Sequence, residues 1–373
     1  MFNLEKKKIG RVGKIITKNG EISTPFFMPD ATRGFVRSID NGILNEIGLE
    51  AILINTYHLF LNPGMEIIKK AGDAHKFMHW EKPLLSDSGG YQVFSLIHKN
   101  PKLGRITDDE VIFHSPTDGS KHILTPEIAI QIQFDLGVDM MVCLDDPPPN
   151  EYPREKIALA VERTISWADR CKKEYERQIE ARKIEKKDRP LIFGVVQGGE
   201  YLDLRKHCTE ELVKIGFDGY GFGARHIDAE GKFMEEVVKE TANYIPENAL
   251  RFALGVGTPE DIVRCFSYGW DMFDCVIPTR EGRHGRLFLR KNGEAINVEA
   301  GKSFYETINI NNGKYKDDFS PISENCDCEL CKNHTHAYLH HLFSSKEMLG
   351  MRLSAIHNLK FYVDLMRELR GKA

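Results

Sequence analysis

Four carboxylates stand where apolar runs of this chain stop. Asp87 closes the run in PLLSDSGG, Asp145 and Asp146 close the one in DMMVCLDDPPP, and Asp274 sits in DMFDCVIPTR. An ionised carboxylate is costly to take out of water without a partner, so an acid carried to the tip of a buried strand is expected to have a chemical task. Two acids in different environments can divide the roles of general acid and nucleophile. A second constellation is Cys326, Cys328 and Cys331, spaced C-x-C-x-x-C in the polar stretch SENCDCELCKNH. Three thiols this close can converge on one tetrahedral ion at Zn–S distances of about 2.3 Å, with zinc the expected guest and a downstream histidine the fourth ligand. Spacing leaves His334, His336, His340, His341 and His357 open for that place. A third constellation is basic. PTREGRHGRLFLRK carries Arg280, Arg283, Arg286, Arg290 and Lys291 against the single acid Glu281, a set suited to bidentate phosphate contacts.

The elements that must position these groups follow from the hydrophobic pattern. PFFMPD, AILINTYH, PLLSD, DMMVCLDD, PLIFGVVQGG, GYGFGA, RFALGVG and DMFDCVI alternate with helical stretches. Most of them lack polar alternation and read as strands buried on both faces. Alternating β and α units imply a parallel sheet. Eight of them predict an α/β fold closed as a (β/α)8 TIM barrel, with a doubly wound open sheet as the alternative. The C-terminal strand tips of such a barrel form its active face, where the four acids would gather. Among the helices, Thr125 is the expected cap of TPEIAIQIQFDLG. The longest is expected over about 153–187, with the apolar stripe Ile157, Val161, Ile165, Ala168, Cys171, Tyr175 and Ile179. The stretch 95–123 reads as an insertion after the third strand, with a hairpin at SPTDGSKH. From about residue 321 the chain turns to cysteine and histidine, then to a closing amphipathic helix ending at Leu369. The expected division is a barrel catalytic domain, 1–320, with its hairpin-like insertion near 95–123, followed by a zinc-binding subdomain and C-terminal helix, 321–373, packed on the barrel.

Composition sets outer bounds. With 41% hydrophobic and 28% charged residues, 373 residues describe a globular protein able to bury a large core. A net charge of −4 restricts any nucleic-acid site to a local patch. No apolar run nears the ~20 residues of a membrane helix, and MFNLEKKKIGRVG has no signal-peptide core. A cytoplasmic protein without membrane contact is expected, and Cys143, Cys171, Cys208, Cys265 and Cys275 read as small buried hydrophobes.

Taken in order, DSGGYQVFS, FGVVQGG, GFDGYGFGA, GVGTPEDI, DMFDCVIPTR and the C-x-C-x-x-C followed by an IHN segment resemble the tRNA-guanine transglycosylases, also called queuine tRNA-ribosyltransferases, over nearly the whole chain. The resemblance implies a barrel with an inserted zinc subdomain. It implies exchange of guanine at the anticodon wobble position of certain tRNAs for a 7-deazaguanine, through a covalent aspartyl–ribosyl intermediate. Asp274 would be the nucleophile, Asp87 the general acid/base, and Tyr91 the ring stacked on the base. Asp145 would read the pyrimidine edge, while Gln197 with Gly198 and the backbone amide at Gly223 would meet the purine carbonyl. Among the five histidines the resemblance selects His357 as the zinc ligand, and it places Arg280 and Arg283, with Arg286 beside them, at the anticodon loop. It also suggests a homodimer. Two departures stand out: Pro147 replaces a cysteine, and GARHIDAE (223–230) replaces a small, apolar loop. Arg225 and His226 would repel the ammonium of 7-aminomethyl-7-deazaguanine, so queuine is the expected incoming base. A non-catalytic tRNA-binding subunit and a retaining glycoside hydrolase on the same barrel are the competing functions. The presence of both Asp87 and Asp274 opposes the first, and the Gln197 and Gly223 loops have no use in the second.

Overall fold

In the computed structural model each of the eight apolar runs forms a strand. These are β1 (Phe26–Pro29), β2 (Ile52–Asn55), β3 (Leu84–Asp87), β4 (Met140–Val142), β5 (Leu191–Val196), β6 (Gly219–Phe222), β7 (Leu250–Ala253) and β8 (Met272–Cys275). The structure describes residues 1–291, 296 and 303–372; 292–295 and 297–302 of the expected first unit, and residue 373 of the second, lie outside the described residues. All strand pairs are parallel, in the order β1-β8-β7-β6-β5-β4-β3-β2. The ring closes where Asp30 bridges to Leu53 and the Ala31 N–H donates to the Leu53 carbonyl at 2.7 Å. The open doubly wound sheet is thereby excluded.

The period of two along a strand sorts the side chains. Met28, Leu53, Leu85, Val142, Val195, Phe252 and Met272 point inward and share one buried cluster. Ile15 and Ile22, from an antiparallel sheet of Phe2–Lys8, Gly10–Thr17 and Gly20–Thr24, fill its lower end. Outward neighbours such as Phe27, Ile54, Ile192 and Phe273 pack beneath the helices in a second cluster. Each fully buried aliphatic or aromatic side chain contributes about 1.5–3 kcal/mol. Those two layers offset the cost of a polar top layer, where the acids sit.

Thr125 caps the helix Pro126–Leu136, its side chain accepting from the Ile128 N–H. The longest helix spans Arg154–Ala181, six residues short of the expected end at 187. The charged RKIEKKDR beyond it offers no apolar stripe, and Lys183 turns to a positive φ of 53°. The insertion is larger than a hairpin. After the helix Gly90–Lys99, three antiparallel strands follow, Gly104–Ile106, Val111–His114 and Lys121–Leu124. The closing helix, Met348–Arg370, is not the expected one-sided amphipathic helix, since every residue from Leu353 to Val363 is buried. It is wedged between β1, where Tyr362 meets Phe27 at 4.7 Å between ring centroids, and the cysteine loop, so both its faces are covered.

Candidate active site

A cavity of about 550 Å³ opens at the C-terminal mouth of the barrel. It is within the size range of small-molecule sites. Its polar lining is a direct consequence of strand parity. Asp87 lies two residues past the inward Leu85, Asp274 two past Met272, Asp30 two past Met28 and Gln197 two past Val195. Asp87 is held by four donors: Asn55 Nδ2 (2.5 Å), the N–H groups of Thr56 (3.2 Å) and Gly89 (3.0 Å), and Gln92 Nε2 (3.4 Å). Gly89 must be glycine, because its φ is +77° and a Cβ would stand 2.8 Å from the Tyr57 backbone nitrogen. Among the described residues Asp274 receives one hydrogen bond, from the Gly255 N–H at 2.9 Å. Asp145 accepts from Gln197 Nε2 at 2.7 Å, leaving Gln197 Oε1 buried with no partner among the described residues. Burial pushes all three acids up, to about 7 for Asp87, about 7 for Asp145 and about 8 for Asp274. The charge of Asp30 adds to the effect on Asp274 and Asp87, and that of Asp146 to the effect on Asp145. At neutral pH the mouth therefore holds protons that ordinary carboxylates would have lost.

Three of the four acids singled out in the sequence reach this cavity. Asp146 does not: its carboxylate pairs with Arg163 and its N–H donates to Thr164 Oγ1 at 3.0 Å, which turns it into the helix layer. Gly198 does not line the cavity either; it packs against Arg205, where a Cβ would come within 2.7 Å. Gly223 lines it, but its N–H is spent on the Val196 carbonyl at 2.9 Å, extending the β5–β6 pairing. The amide next along, Ala224, held at φ +70°, has no acceptor among the described residues. Gly223 is needed for another reason, since a Cβ there would stand 2.4 Å from Gln197 Nε2. Tyr91 is at the rim, 61% exposed as a residue, and Pro147 also lines the cavity.

In the loop of 223–230, Arg225 is exposed at the cavity rim, while His226 lies 3.4 Å from Asp261 and packs edge-on against Phe233. Asp228 closes its own turn by accepting from the Lys232 N–H at 2.7 Å. Asn150 Nδ2 reaches back to the carbonyls of Arg225 (3.3 Å) and Ile227 (3.4 Å). Arg280 lines the cavity on the short helix Ile277–Arg283, next to the exposed Arg286. Arg283 is half-buried, its Nη1 without a partner among the described residues, and burial together with Arg37 and Arg280 pushes its pKa down. Sequence reasoning missed Asp30, Asn55, Leu254, Arg37 and Arg205. Asp30 and Asn55 carried the same signal as the chosen acids, a polar residue ending an apolar run. Arg205 carried none. It is fully buried, and its guanidinium donates to the carbonyls of Gly199 (2.6 Å), Val196 (3.3 Å) and Gly223 (3.1 Å), tying the loops after β5 and β6 together.

The ligand atoms of Cys326, Cys328, Cys331 and His357 all lie within 4.8 Å of one another. A tetrahedron with bonds of about 2.3 Å has edges of about 3.8 Å, so the group can hold a metal ion. His357 Nδ1 faces the three thiols at 3.7, 3.6 and 3.3 Å, while Nε2 meets the Phe288 carbonyl at 2.9 Å. That bond fixes the proton on Nε2 and leaves the Nδ1 lone pair for a metal. The other four histidines are not in the group. Asn358 then anchors the arginine segment to the same helix, donating to the carbonyls of Pro278 (3.0 Å) and Arg286 (2.9 Å) and accepting from the Phe288 N–H (3.1 Å).

A parallel barrel with acids at the C-terminal mouth of its strands and a side cluster able to bind metal defines a barrel enzyme. The family model for queuine tRNA-ribosyltransferase matches residues 6–372. Similar proteins include the queuine tRNA-ribosyltransferases of Halothermothrix orenii, 43% identical over 99% of this chain and 92% of its own length, and of Francisella tularensis subsp. novicida, 43% identical over 99% and 93%. That of Caldanaerobacter subterraneus subsp. tengcongensis is 43% identical over 96% of this chain and 89% of its own length. The chain belongs to the queuine tRNA-ribosyltransferase family.

Proposed function

We propose that this protein is a tRNA-guanine transglycosylase, a pentosyltransferase of queuosine modification that replaces guanine at the wobble position of tRNA by a 7-deazaguanine. The observation that carries the reading, beside the family, is a pair of acids facing one cavity with opposite surroundings. Asp87 is fixed by four donors, whereas Asp274 has one and keeps an oxygen turned to the cavity. Breaking the C1′–N9 bond builds oxocarbenium charge on the ribose. Asp274 stabilises that charge and then bonds to C1′, as the nucleophile of a retaining glycosidase does. Asp87, raised to about 7, supplies the proton the leaving guanine needs and later takes one from the incoming base. Asp145 accepts from the N1–H and N2–H groups of the purine. Gln197 and the Ala224 amide meet its carbonyl, and Tyr91 and Leu254 cover its faces. Reaching that base means flipping it from the anticodon stack, with Arg280, Arg283, Arg286 and Arg37 on the flanking phosphates.

Zinc is the proposed guest of the Cys326, Cys328, Cys331 and His357 group, and when bound it supplies bracing of the arginine segment. Units of 1–320 and 321–373, a cytoplasmic location and a homodimer belong to the same reading. For the homodimer, the exposed Phe319, Tyr338 and Met348 offer apolar contact surface around the cysteine loop. No helix among the described residues is long and apolar enough to cross a membrane. Queuine remains the favoured incoming base, because Arg225 sits at the cavity rim. Competition between queuine and the aminomethyl base tests that choice, and a higher kcat/KM for the aminomethyl base would reverse it. The function itself is tested by incubating protein, tRNA and radiolabelled guanine. Label enters tRNA only if the exchange occurs, which separates this reading from an inactive subunit and from a glycoside hydrolase.

A further inference from the structure

Asp30 is an acid of the mouth that the chemistry above leaves without a task. It follows β1, so it stands between the strand carrying Asp274 and the one carrying Asn55. The bridge to Leu53 that closes the barrel pins its backbone, which places the side chain on the rigid scaffold. Among the described residues no protein donor reaches its carboxylate, in contrast to Asp87 and Asp145. β1 pairs with β8, Met28 opposite Asp274, so Asp30 ends the strand beside the one that carries the proposed nucleophile, and its charge acts on Asp274. A carboxylate facing a cavity without a donor is costly, and the ligand is the natural source of one.

Ring order decides which part of the ligand that is. The groups suited to the purine, Asp145, Gln197 and Ala224, follow β4, β5 and β6, across the barrel from β1. With C1′ at Asp274 and the base directed toward β4–β6, the donors left for the β1 side are sugar hydroxyls. The one on the carbon adjoining C1′ is the 2′-hydroxyl. We propose that Asp30 accepts a hydrogen bond from the ribose 2′-hydroxyl of the flipped nucleotide and so makes the exchange selective for RNA. This inference rests on the exchange reading. As C1′ becomes cationic the neighbouring hydroxyl becomes a better donor, so the bond is strongest in the transition state. The 2′-hydroxyl is also the group by which a protein tells RNA from DNA.

The test uses anticodon stem–loop RNAs carrying guanosine or 2′-deoxyguanosine at the wobble position, with radiolabelled guanine as the incoming base. The ratio of kcat/KM on the two substrates is measured for wild type, Asp30→Ala and Asp30→Asn. The intrinsic reactivity difference of the two sugars cancels when ratios are compared between enzymes. Asp30→Ala is expected to lower the ribo/deoxy ratio about tenfold or more, the worth of a hydrogen bond to a charged group, chiefly through kcat on the ribo substrate. Asp30→Asn, which keeps one acceptor oxygen and the side-chain shape, should fall between. An unchanged ratio in both variants would overturn the inference while leaving the exchange reading intact. Absence of label in the guanosine-containing RNA with wild type would overturn the exchange reading, and this inference with it.

Discussion

At the residue scale, the task of Asp274 has a thermodynamic signature separate from its kinetics. Asp274→Asn should abolish label incorporation and the covalent tRNA adduct on denaturing gels, while leaving tRNA affinity largely unchanged, since phosphate contacts supply most of it. The same substitution should stabilise the protein at alkaline pH. The folded pKa of Asp274 is raised to about 8, above its unfolded value. The folded state therefore binds the proton more tightly, and the stability this confers is complete below the unfolded pKa of about 4 and lost as pH rises through about 8. Asparagine needs no proton, so the melting temperature of the variant should exceed that of wild type at pH 8.5. The difference should shrink to nothing near pH 4. A variant less stable than wild type at both pH values would contradict the buried, raised carboxylate. The acid limb of kcat/KM should accordingly fall in the neutral range, well above the ordinary carboxylate value, because an anion must first be freed in the cavity. The charges of Asp30 and Asp87 both raise Asp274, so that limb belongs to the coupled acids of the mouth and not to Asp274 alone.

At the scale of elements, two buried tethers hold the mouth in shape. Arg205 spans the loops after β5 and β6 through three carbonyls, and among the described residues its guanidinium meets no carboxylate. Arg205→Met should remove the side-chain donor from the Gly199 and Gly223 carbonyls, at about 1–3 kcal/mol each, while the Val196 carbonyl keeps the Gly223 N–H. It should lower the melting temperature and raise KM for guanine more than KM for tRNA, because Gln197 and Ala224 are on the loops it ties. Equal effects on the two KM values would assign Arg205 to stability alone. The second tether is the cysteine–histidine group. Fresh protein should contain one zinc per chain, and Cys328→Ala should reduce that content. It should also raise hydrogen exchange in 278–291, since His357 and Asn358 hold Pro278, Arg286 and Phe288. Metal content well below one per chain in wild type would remove zinc from the account.

At the scale of the whole molecule, the net charge of −4 and the arginines at the mouth divide the surface into two regimes. Binding of tRNA should be steeply salt-dependent although the protein is acidic. Arg283→Ala combined with Arg286→Ala should reduce the slope of log K against log salt by about 0.7–0.9 for every phosphate those side chains neutralise. An unchanged slope would make the segment a solvated loop. Arg37 joins this patch from the far end of the chain, which no local motif could announce.

The sequence by itself determined the barrel, because eight doubly buried strands with helices between them have few other ways to cover both faces. It also singled out Asp87, Asp145 and Asp274, which line the cavity at the mouth, since an acid at the end of an apolar run needs a reason to be there. Strand spacing could not say which of two adjacent acids turns inward, so Asp146 was indistinguishable from Asp145 until its pairing with Arg163 placed it in the helix layer. Nor could it say that the Gly223 amide is consumed by β5 or that Ala224 is not. Asp30 had the right local pattern and was passed over, because its proximity to Asp274 depends on β1 closing against β8 across nearly the full length of the chain. Arg205 was illegible for the opposite reason. A charged residue on a helix reads as solvated, and only the loops folded over it supply the carbonyls that let it be buried. Side-chain period is a local property carried by consecutive residues. Partnership between distant groups exists only once the ring of strands has closed.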